Sequence, residues 1–302
     1  MLGLRGALVV FAVYQCVFSG VCAFPRVQSS GFGSAKHVII FGCDGFGGMY
    51  LENATSFLPN VNKFYTDGAH TTRARDQMPS VSAPNWATII TGMGPEESGV
   101  PDNDWVPPDD NPPNVTVHAL PPISGKGKIP ETMWRAAKSQ DSSVVVAVTE
   151  SWDWIYYLVE DGIVDYNFRC MEHKPDLMFI HFLSIDEAGH AYSWGSPQYY
   201  DAVKSVDGYI GEIMTAFHTA GIYNDTLFIL TADHGGYGFG HGQFDEVCMY
   251  IPALFMGPQV KKGYQISGYT TDKDFAPTAL NALGLHPGEY MVGKVVEEIY
   301  ET

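Results

Sequence analysis

The segment HVIIFGCD (residues 37–44) decides the fold of this 302-residue chain. Its apolar residues are continuous rather than alternating, and a carboxylate, Asp44, follows them at once. A run of this kind is typical of a strand that is buried on both faces, as in a parallel sheet covered by helices. The segment therefore predicts a buried strand with an acidic group at its carboxyl end.

The same pattern recurs along the chain in SSVVVAVTES (142–151), DLMFIHFLSID (176–186), TLFILTADHG (226–235) and IPALFMGP (251–258). Helix-like segments lie between these runs, and the clearest covers residues 196–221. Apolar residues recur there at helical spacing, which predicts a packing stripe. Strands that alternate with helices predict an α/β fold with a mostly parallel central sheet and helices on both faces. The stripe consists of Val203, Val206, Ile210, Met214 and Phe217.

The composition is that of a globular protein with an acidic balance. Hydrophobic residues make up 45% of the chain and charged residues 17%, and the formal net charge is -17 at pH 7. This charge argues against a nucleic acid polymer as a partner, because phosphate backbones bind basic surfaces. A small anionic substrate is still compatible with it, since a bound metal can dominate the local field.

The first residues are typical of a cleaved secretory signal. Arg5 precedes an apolar run over residues 7–18, and residues 21–23 supply the small side chains expected before a cleavage site. A membrane anchor is the alternative, but the run is short and no second apolar span occurs. We predict a signal peptide over residues 1–23 and one domain over residues 24–302. The protein is then secreted or lies in the lumen of the secretory pathway, without a transmembrane span.

Three Asn-x-Thr sequons agree with secretion, at Asn53, Asn114 and Asn224, and their surroundings indicate loops or turns. Each triplet alone is weak evidence, because such triplets also arise by chance. Together with a signal peptide, they predict glycosylation.

Three cysteines remain after removal of the signal, at positions 43, 170 and 248. Cys43 lies in a strand and is predicted to be a small buried hydrophobic residue. A bridge between Cys170 and Cys248 is an open alternative to two free thiols, because sequence does not determine pairing.

Metal-binding residue types follow several of the predicted strands. Any one of them has an ordinary explanation as a turn, cap or surface residue. In parallel sheets, however, the carboxyl ends of the strands meet at one edge, where ligands bind. Carboxylates and imidazoles gathered there suit a borderline metal such as zinc, and Gly45, Gly189, Gly235 and Gly240 would allow close backbone approach. The candidate ligands are Asp44, Asp186, His190, Asp233, His234 and His241.

A hydroxyl nucleophile is available in MPSVSAPNWATIITG (residues 78–92). Ser82 precedes a helix-like run, so it is either a helix N-cap or a nucleophile. The interpretation of Ser82 as a nucleophile gains support because the N-terminus of a helix attracts phosphate. Ser80 is a close rival for the same role.

These motifs in combination resemble the alkaline phosphatase superfamily, in particular its type I phosphodiesterase/nucleotide pyrophosphatase branch. The resemblance covers about residues 36–295 and is carried by Asp44, PSVSAPNW (79–86), DEAGH (186–190) and the Asp-His-Gly block at residues 233–235. It implies an alkaline-phosphatase-like fold and Ser82 as the nucleophile. It also implies that Asn103 donates a hydrogen bond to a phosphoryl oxygen.

The resemblance further implies two Zn²⁺ ions as cofactors. One would be bound by Asp186, His190 and His241. The other would be bound by Asp44, Asp233 and His234, with Ser82 as its fourth ligand.

Three departures from the family pattern limit what the resemblance implies about the substrate. Ser82 stands where the branch usually has threonine, and Trp86 replaces a common histidine. His241 follows His234 by seven residues, whereas larger members place their last histidine much further on. The chain therefore resembles compact members, and the substrates of the larger enzymes do not transfer directly. A sulfatase-like signature is incomplete, because Trp86 occupies the position of its arginine.

We predict a secreted two-zinc hydrolase of small phosphate esters, with phosphodiesters or nucleotide pyrophosphates preferred over monoesters. The preference rests on the lack of an arginine or lysine within the motifs, since a monoester dianion usually needs an extra cation. Trp86 and Trp105 are predicted to line the substrate pocket. The alternatives are a phosphomonoesterase, a non-catalytic secreted binding protein and a metal-dependent mutase.

Overall fold

The computed structural model describes residues 29–107, 130–159, 162–167 and 174–301. One eight-stranded sheet forms their centre, in the order β4-β3-β5-β1-β6-β7-β2-β8. The strands are β1 (His37–Cys43), β2 (Ala69–Arg75), β3 (Val146–Thr149), β4 (Tyr166–Asn167), β5 (Leu177–Phe182), β6 (Thr226–Thr231), β7 (Tyr250–Met256) and β8 (Tyr264–Gln265).

The sheet is mixed but mostly parallel. β1 pairs in parallel with β5 on one side and β6 on the other, and β3 continues the parallel arrangement beyond β5. β7 runs antiparallel to both of its neighbours, β6 and β2. The predicted α/β fold with a mostly parallel sheet is confirmed.

Helices cover the sheet. In the described residues they are α1 (Gly48–Ala54), α2 (Asn62–Asp67), α3 (Ser82–Thr91), α4 (Pro95–Ser98), α5 (Met133–Gln140), α6 (Ser184–Tyr192), α7 (Pro197–Thr219), α8 (Glu246–Met249) and α9 (Phe275–Ala282). Short 3-10 helices occupy Thr55–Phe57, Asp153–Leu158, Tyr223–Asp225, Asp272–Asp274 and Glu297–Ile299.

The central strands are buried on both faces, as their continuous apolar sequence predicts. All residues of β6 are buried, and in β1 only the first residue, His37, is partly exposed. The predicted apolar stripe of α7 is buried as well. Burial of this extent on both faces requires helical layers on each side of the sheet.

The register places the carboxyl ends of the three central strands side by side. Cys43 of β1 pairs with Phe182 of β5, and Gly42 pairs with Thr231 of β6. The residues that follow these strands therefore start from one edge of the sheet.

Some of the predictions on processing concern parts of the chain outside the described residues. These are the signal peptide over residues 1–23, Asn114 and Cys170. Cys248 is a buried free thiol in the structure. The single domain over residues 24–302 also stays a prediction. Within the described ranges, no helix combines the length and the apolar character that crossing a membrane requires.

The two sequons that the structure describes lie on exposed asparagines. Asn224 lies in a 3-10 turn, in agreement with the predicted setting. Asn53 lies near the end of α1, and its Nδ2 donates to the carbonyl of Met49 at 3.1 Å. The prediction of a loop at Asn53 is therefore wrong, because the chain there closes a helical turn.

Candidate active site

Six side chains meet at the carboxyl edge of the sheet, and we call them the strand-end cluster. Asp44 directly follows β1, and Asp233 and His234 follow β6 after one intervening residue. Asp186 and His190 lie one turn apart on α6, which begins just after β5. His241 comes from the loop beyond β6. The cluster consists of Asp44, Asp186, His190, Asp233, His234 and His241.

One part of the cluster is formed by Asp186, His190 and His241, whose potential ligand atoms all lie within 4.8 Å of one another. His190 Nε2 is 3.4 Å from Asp186 Oδ2, and His241 Nε2 is 4.0 Å from Asp186 Oδ1. This is the grouping that the family resemblance implies for one metal.

A second part is formed around His234. Its Nε2 is 3.3 Å from Asp233 Oδ2, 3.6 Å from Asp44 Oδ1 and 4.0 Å from Asp186 Oδ1. Asp44, Asp186 and His234 again satisfy the 4.8 Å limit as a group of three. Asp186 thus lies between the two parts of the cluster, a position that its assignment to a single ion did not predict.

All three histidines of the cluster are oriented by their backbone contacts. The Nδ1 atom of His190 is 2.9 Å from the carbonyl oxygen of Phe239, and that of His234 is 2.7 Å from the carbonyl oxygen of Gly235. His241 Nδ1 is likewise 3.1 Å from the carbonyl of Ser80. Since a carbonyl only accepts, each Nδ1 carries the proton and each Nε2 keeps a free lone pair. This tautomer leaves Nε2 available to bind a metal ion.

The carboxylates of the cluster hold unsatisfied oxygens. Asp44 Oδ1, Asp186 Oδ1 and Asp233 Oδ2 are buried without a hydrogen-bond partner. Buried acceptors of this kind are costly unless a cation or donor meets them. Three such oxygens beside three free imidazole lone pairs form a donor set that fits zinc.

Electrostatics agrees with a site that needs positive charge. Burial, followed by the charge of Asp44, raises the pKa of Asp186 to about 8, and burial raises the pKa of Asp233 well above its ordinary value. Burial also lowers the pKa of His234 to about 3, so this imidazole stays neutral. A neutral imidazole facing crowded carboxyl groups is ready to accept a metal ion.

Asp44 differs from the other two carboxylates because two donors hold one of its oxygens. His181 Nε2 and Trp86 Nε1 each lie 3.0 Å from Asp44 Oδ2. Burial opposes ionisation of Asp44, but its contacts with His181, His234 and Trp86 together outweigh burial and lower the pKa of Asp44. The contacts leave Oδ1 of Asp44 as the free ligand atom.

His181 is a site residue that the sequence did not reveal. It reads as a satisfied core histidine, and it is indeed buried and hydrogen-bonded. Its partner, however, is a candidate ligand. The available signal was the register, because His181 pairs with Gly42, two residues before Asp44.

Trp86 and Trp105, which were predicted to line the substrate pocket, are both buried in the structure. Trp86 is fully buried, and it contacts the site through its hydrogen bond to Asp44 and through edge-to-face packing on His181. Trp105 is buried against Trp154 and Tyr157, with ring centroids 5.9 and 6.3 Å apart. Both indoles pack in the interior because the surrounding aromatic residues offer more apolar contact there than a solvent-facing pocket would.

Ser82 is the first residue of α3, and Val81 is the N-cap. The interpretation of Ser82 as the N-cap is therefore wrong, because the helix begins one residue earlier than it requires. Instead, Oγ lies 3.2 Å from His234 Nε2. Because His234 carries its proton on Nδ1, the serine hydroxyl is the donor and points into the strand-end cluster.

Ser80 has a different environment. Its hydroxyl donates to the carboxylate of Asp76 and lies 3.2 Å from the carbonyl of Cys248. Its own carbonyl holds His241. Ser80 thus contributes to the site through its backbone, and Ser82 is the hydroxyl that contacts the cluster.

Asn103 lies beside Ser82, although the two are 21 positions apart in the chain. Its Oδ1 accepts a hydrogen bond from the backbone N–H of Ala83 at 2.8 Å. This contact fixes the carboxamide next to the first turn of α3. Its NH₂ group is then oriented away from that N–H and is able to donate elsewhere.

Gly45 shows why glycine is required where the segments that follow β1 and β5 approach each other. Its φ is +70°, and a Cβ there would lie 2.9 Å from the Cα and Cβ of Asp186. The prediction that a glycine is needed for close backbone approach is wrong at Gly240, where a Cβ would meet nothing within 4 Å. Close approach is therefore a property of the strand ends and not of every glycine in the loop.

Comparison with known proteins shows which family profiles match this chain. The profile of the family described as type I phosphodiesterase/nucleotide pyrophosphatase matches residues 38–239, and a sulfatase profile matches residues 195–285. The first match covers more than half of the chain.

Curated relatives agree. Ectonucleotide pyrophosphatase/phosphodiesterase family member 3 of Mus musculus is 29% identical over 243 residues, covering 73% of this chain and 28% of the relative. Venom phosphodiesterase of Macrovipera lebetinus is 27% identical over 245 residues, with 73% and 27% covered. The chain thus spans little more than a quarter of the length of these relatives.

The fold has solved counterparts. An inactive variant of murine ectonucleotide pyrophosphatase/phosphodiesterase 5 in complex with AMP superposes with a TM-score of 0.71 at 14% identity, covering 88% of this chain and 100% of the other. At this identity the likeness concerns the fold, which is that of the alkaline phosphatase superfamily. The family profile, which matches residues 38–239, establishes that the chain belongs to the type I phosphodiesterase/nucleotide pyrophosphatase family.

Proposed function

We propose that this protein is a two-zinc hydrolase of phosphate esters that acts on phosphodiesters or nucleotide pyrophosphates through a phosphoserine at Ser82. The observation that carries the proposal is the contact of Ser82 Oγ with His234 Nε2 at 3.2 Å. Ser82 is the first residue of α3. The contact therefore brings a hydroxyl at the N-terminus of a helix against a cluster of candidate metal ligands.

The residues of the strand-end cluster would hold the two ions in the grouping that the family resemblance implies. Asp186, His190 and His241 would bind one. The ligands of the other would be Asp44, Asp233, His234 and Ser82. Bound divalent ions supply positive charge to phosphoryl oxygens and lower the pKa of hydroxyl groups and water nearby.

The chemistry assigned to Ser82 has two balanced steps. In the first, Oγ forms a bond to phosphorus and the bond to the departing ester oxygen breaks. The proton that Ser82 loses is matched by the one that the leaving group takes up, which is an alcohol for a diester and a phosphate for a pyrophosphate. In the second step a water oxygen bonds to phosphorus, the Ser82–phosphorus bond breaks, and Oγ regains a proton.

Asn103 and α3 would stabilise the negative charge that develops on the phosphoryl group. The Asn103 carboxamide is held by the backbone of Ala83, one residue after the nucleophile. Its NH₂ group would donate to a phosphoryl oxygen, and the N-terminal N–H groups of α3 add the positive end of the helix dipole.

Diesters and pyrophosphates are favoured over monoesters because of the charges around the site. The ion pairs of Asp44, Asp186 and Asp233 recorded among the described residues involve imidazoles only. Of the arginines upstream of Ser82, Arg73 lies 4.0 Å from Glu52, and Arg75 lies over the ring of Phe244. A monoester dianion would lack the additional cation that it usually needs.

Nucleotide esters are the first substrates to test. Curated relatives are named as ectonucleotide pyrophosphatase/phosphodiesterases, and a structural neighbour was solved with AMP. We expect a higher kcat/KM for the p-nitrophenyl ester of thymidine 5′-monophosphate than for p-nitrophenyl phosphate. A higher value for the monoester would assign the protein to the phosphomonoesterases.

The deciding experiment replaces the nucleophile. Ser82→Ala should lower kcat by about 10³-fold or more while zinc stays bound, because the Asp and His ligands remain. Ser80→Ala is the matched control, since it removes a nearby hydroxyl but keeps the carbonyl that holds His241. Metal content by elemental analysis and hydrolysis rates provide the two readouts. Full activity of Ser82→Ala would end the proposal.

Secretion and glycosylation form a separate part of the proposal. The signal over residues 1–23 would direct export, and Asn53 and Asn224 offer exposed side chains for glycans. Expression of the full chain in a eukaryotic host should give a protein in the medium that begins after residue 23 and loses mass on glycosidase treatment. Retention in the cytosol with an intact N-terminus would contradict this part alone.

A further inference from the structure

The loop between His234 and His241 carries two strongly exposed aromatic side chains. Tyr237 is 73% exposed and Phe239 is 66% exposed. Large aromatic side chains are usually buried in part, and two of them within three residues form a small apolar surface. We call residues 236–240, which carry both rings, the aromatic hairpin.

The backbone of the aromatic hairpin is firmly held. Tyr237 and Gly240 exchange two hydrogen bonds of 2.8 and 3.2 Å, which close the turn. Outside the hairpin, the N–H of Trp194 donates to Gly238 at 2.8 Å, and the hydroxyl of Tyr50 donates to Gly236 at 2.8 Å. The two rings are therefore exposed from an anchored segment, which reduces the entropy that binding would cost.

The aromatic hairpin adjoins the open side of the strand-end cluster. The carbonyl of Phe239 accepts the Nδ1–H of His190 at 2.9 Å. The His190 side chain is 46% exposed, whereas those of His241 and His234 are 10% and 0% exposed. A substrate thus reaches the cluster past His190, beside the segment that presents Tyr237 and Phe239.

We propose that Tyr237 and Phe239 bind the leaving group of the substrate and select esters whose leaving group carries an aromatic ring. The inference rests on the proposed function and adds a substrate class to it. Ser82 contacts His234, in the other part of the cluster, and an in-line attack by its Oγ directs the departing oxygen to the opposite side of phosphorus, towards Asp186, His190 and His241. A group attached to that oxygen then lies nearest the aromatic hairpin, which contacts His190. Flat rings stack on exposed aromatic side chains with a geometry that alkyl groups do not share.

A membrane surface is the other environment that exposed aromatic residues commonly meet, but the charges disfavour it. Residues 232–249 contain no lysine or arginine, and they include Asp233, Asp245 and Glu246. The whole chain carries a formal charge of -17. Biological membranes attract basic segments to their anionic lipids and repel acidic ones.

The test uses two diesters of thymidine 5′-monophosphate, one with a naphthyl leaving group and one with a methyl leaving group. The ratio of their kcat/KM values is measured for the full chain and for the double variant Tyr237→Ala/Phe239→Ala. Comparing ratios between proteins cancels the intrinsic reactivity of each leaving group. We expect the naphthyl-to-methyl ratio to fall on the order of 10-fold in the double variant, mainly through KM of the naphthyl ester.

Two further variants test whether the aromatic rings of Tyr237 and Phe239 are responsible for the naphthyl-to-methyl ratio. Tyr237→Phe keeps the ring and should preserve the ratio. Tyr209→Ala removes an exposed aromatic residue of α7 and should leave the ratio unchanged. In a Ser82→Ala background, calorimetry should show weaker binding of the naphthyl ester when both rings are removed, which separates binding from chemistry.

An unchanged ratio would overturn the inference whatever happens to the absolute rates, since an equal loss for both esters indicates a structural effect through His190. Sedimentation with phosphatidylcholine vesicles that depends on both rings, with an unchanged ratio, would assign them to a membrane surface instead. If the unmodified chain hydrolyses neither ester, the proposed function itself fails. Hydrolysis of both with an unchanged ratio sinks only this inference.

Discussion

Among the residues that the structure describes, two groups of buried carboxyl groups differ in what faces them. In the strand-end cluster, the carboxylates face imidazole nitrogens with free lone pairs. In the second group, Asp76 faces the hydroxyl of Ser80, and Asp272 accepts from Gln77 Nε2 at 2.7 Å. Each group also contains buried oxygens without partners.

The difference shows that burial of carboxyl groups does not by itself indicate a metal. Burial raises the pKa of Asp76 to about 9 and that of Asp272 to about 8, so both hold a proton near neutral pH. Burial raises both pKa values although the hydrogen bonds from Ser80 and Gln77 act to lower them, and these hydrogen bonds fix the segment that leads to Ser82. In the strand-end cluster, unpaired carboxyl oxygens lie beside the free Nε2 atoms of three imidazoles, and a bound metal ion would satisfy both kinds of atom.

The largest effect should come from Asp186→Asn, because Asp186 lies between both parts of the cluster. We expect loss of bound metal and a fall in kcat of about 10³-fold or more. Asp272→Asn is the matched change in the second group and should keep both metal and activity. Elemental analysis and hydrolysis rates measure the two variants. Equal metal loss in both variants would show that the two groups of carboxyl groups do not differ in metal binding.

A smaller effect is expected from the residues that hold Asp44. Trp86→Phe removes one of the two hydrogen bonds to Asp44 Oδ2 while keeping an aromatic ring in the core. Loss of an outer partner of this kind should weaken metal affinity about 10–100-fold, measured by competition with a chelator.

Trp134→Phe is the control for this variant, because Trp134 is also fully buried and its Nε1 donates to a backbone carbonyl, that of Leu158, at 3.0 Å. It should cost stability without changing metal affinity. The same affinity in Trp86→Phe as in the unmodified chain would show that His181 alone positions Asp44.

The smallest effect concerns pH. The pKa of Asp272 is raised to about 8 in the folded protein by burial, whereas in the unfolded chain it is near 3.8. Between these values the folded state holds a proton that the unfolded state loses, so stability falls as pH rises. Each such group contributes a slope of at most about 1.4 kcal/mol per pH unit.

Asp272→Asn should therefore flatten the pH dependence of the free energy of unfolding between about pH 4 and pH 8, measured by urea denaturation at several pH values. Asp201→Asn, at an exposed residue of α7, is the control and should retain the slope. A profile that Asp272→Asn leaves unchanged would contradict the protonated state of this carboxyl group.

The sequence determined the architecture and the candidate ligands. Continuous apolar runs identify strands that are buried on both faces, because only such strands avoid polar side chains at every position. Parallel strands bring their carboxyl ends to one edge, so Asp44, Asp186 and His234 could be grouped before any coordinates were known.

Only the tertiary structure decided the surroundings of that cluster. Trp86 and Trp105 are aromatic in either environment, and packing alone determines that they are buried and not exposed. Ser82 resembles an N-cap until its hydroxyl is placed against His234, and His181 resembles a core residue until its partner is known. Such contacts join residues that are distant along the chain, and a local pattern holds no information on which side chain the fold will bring opposite another.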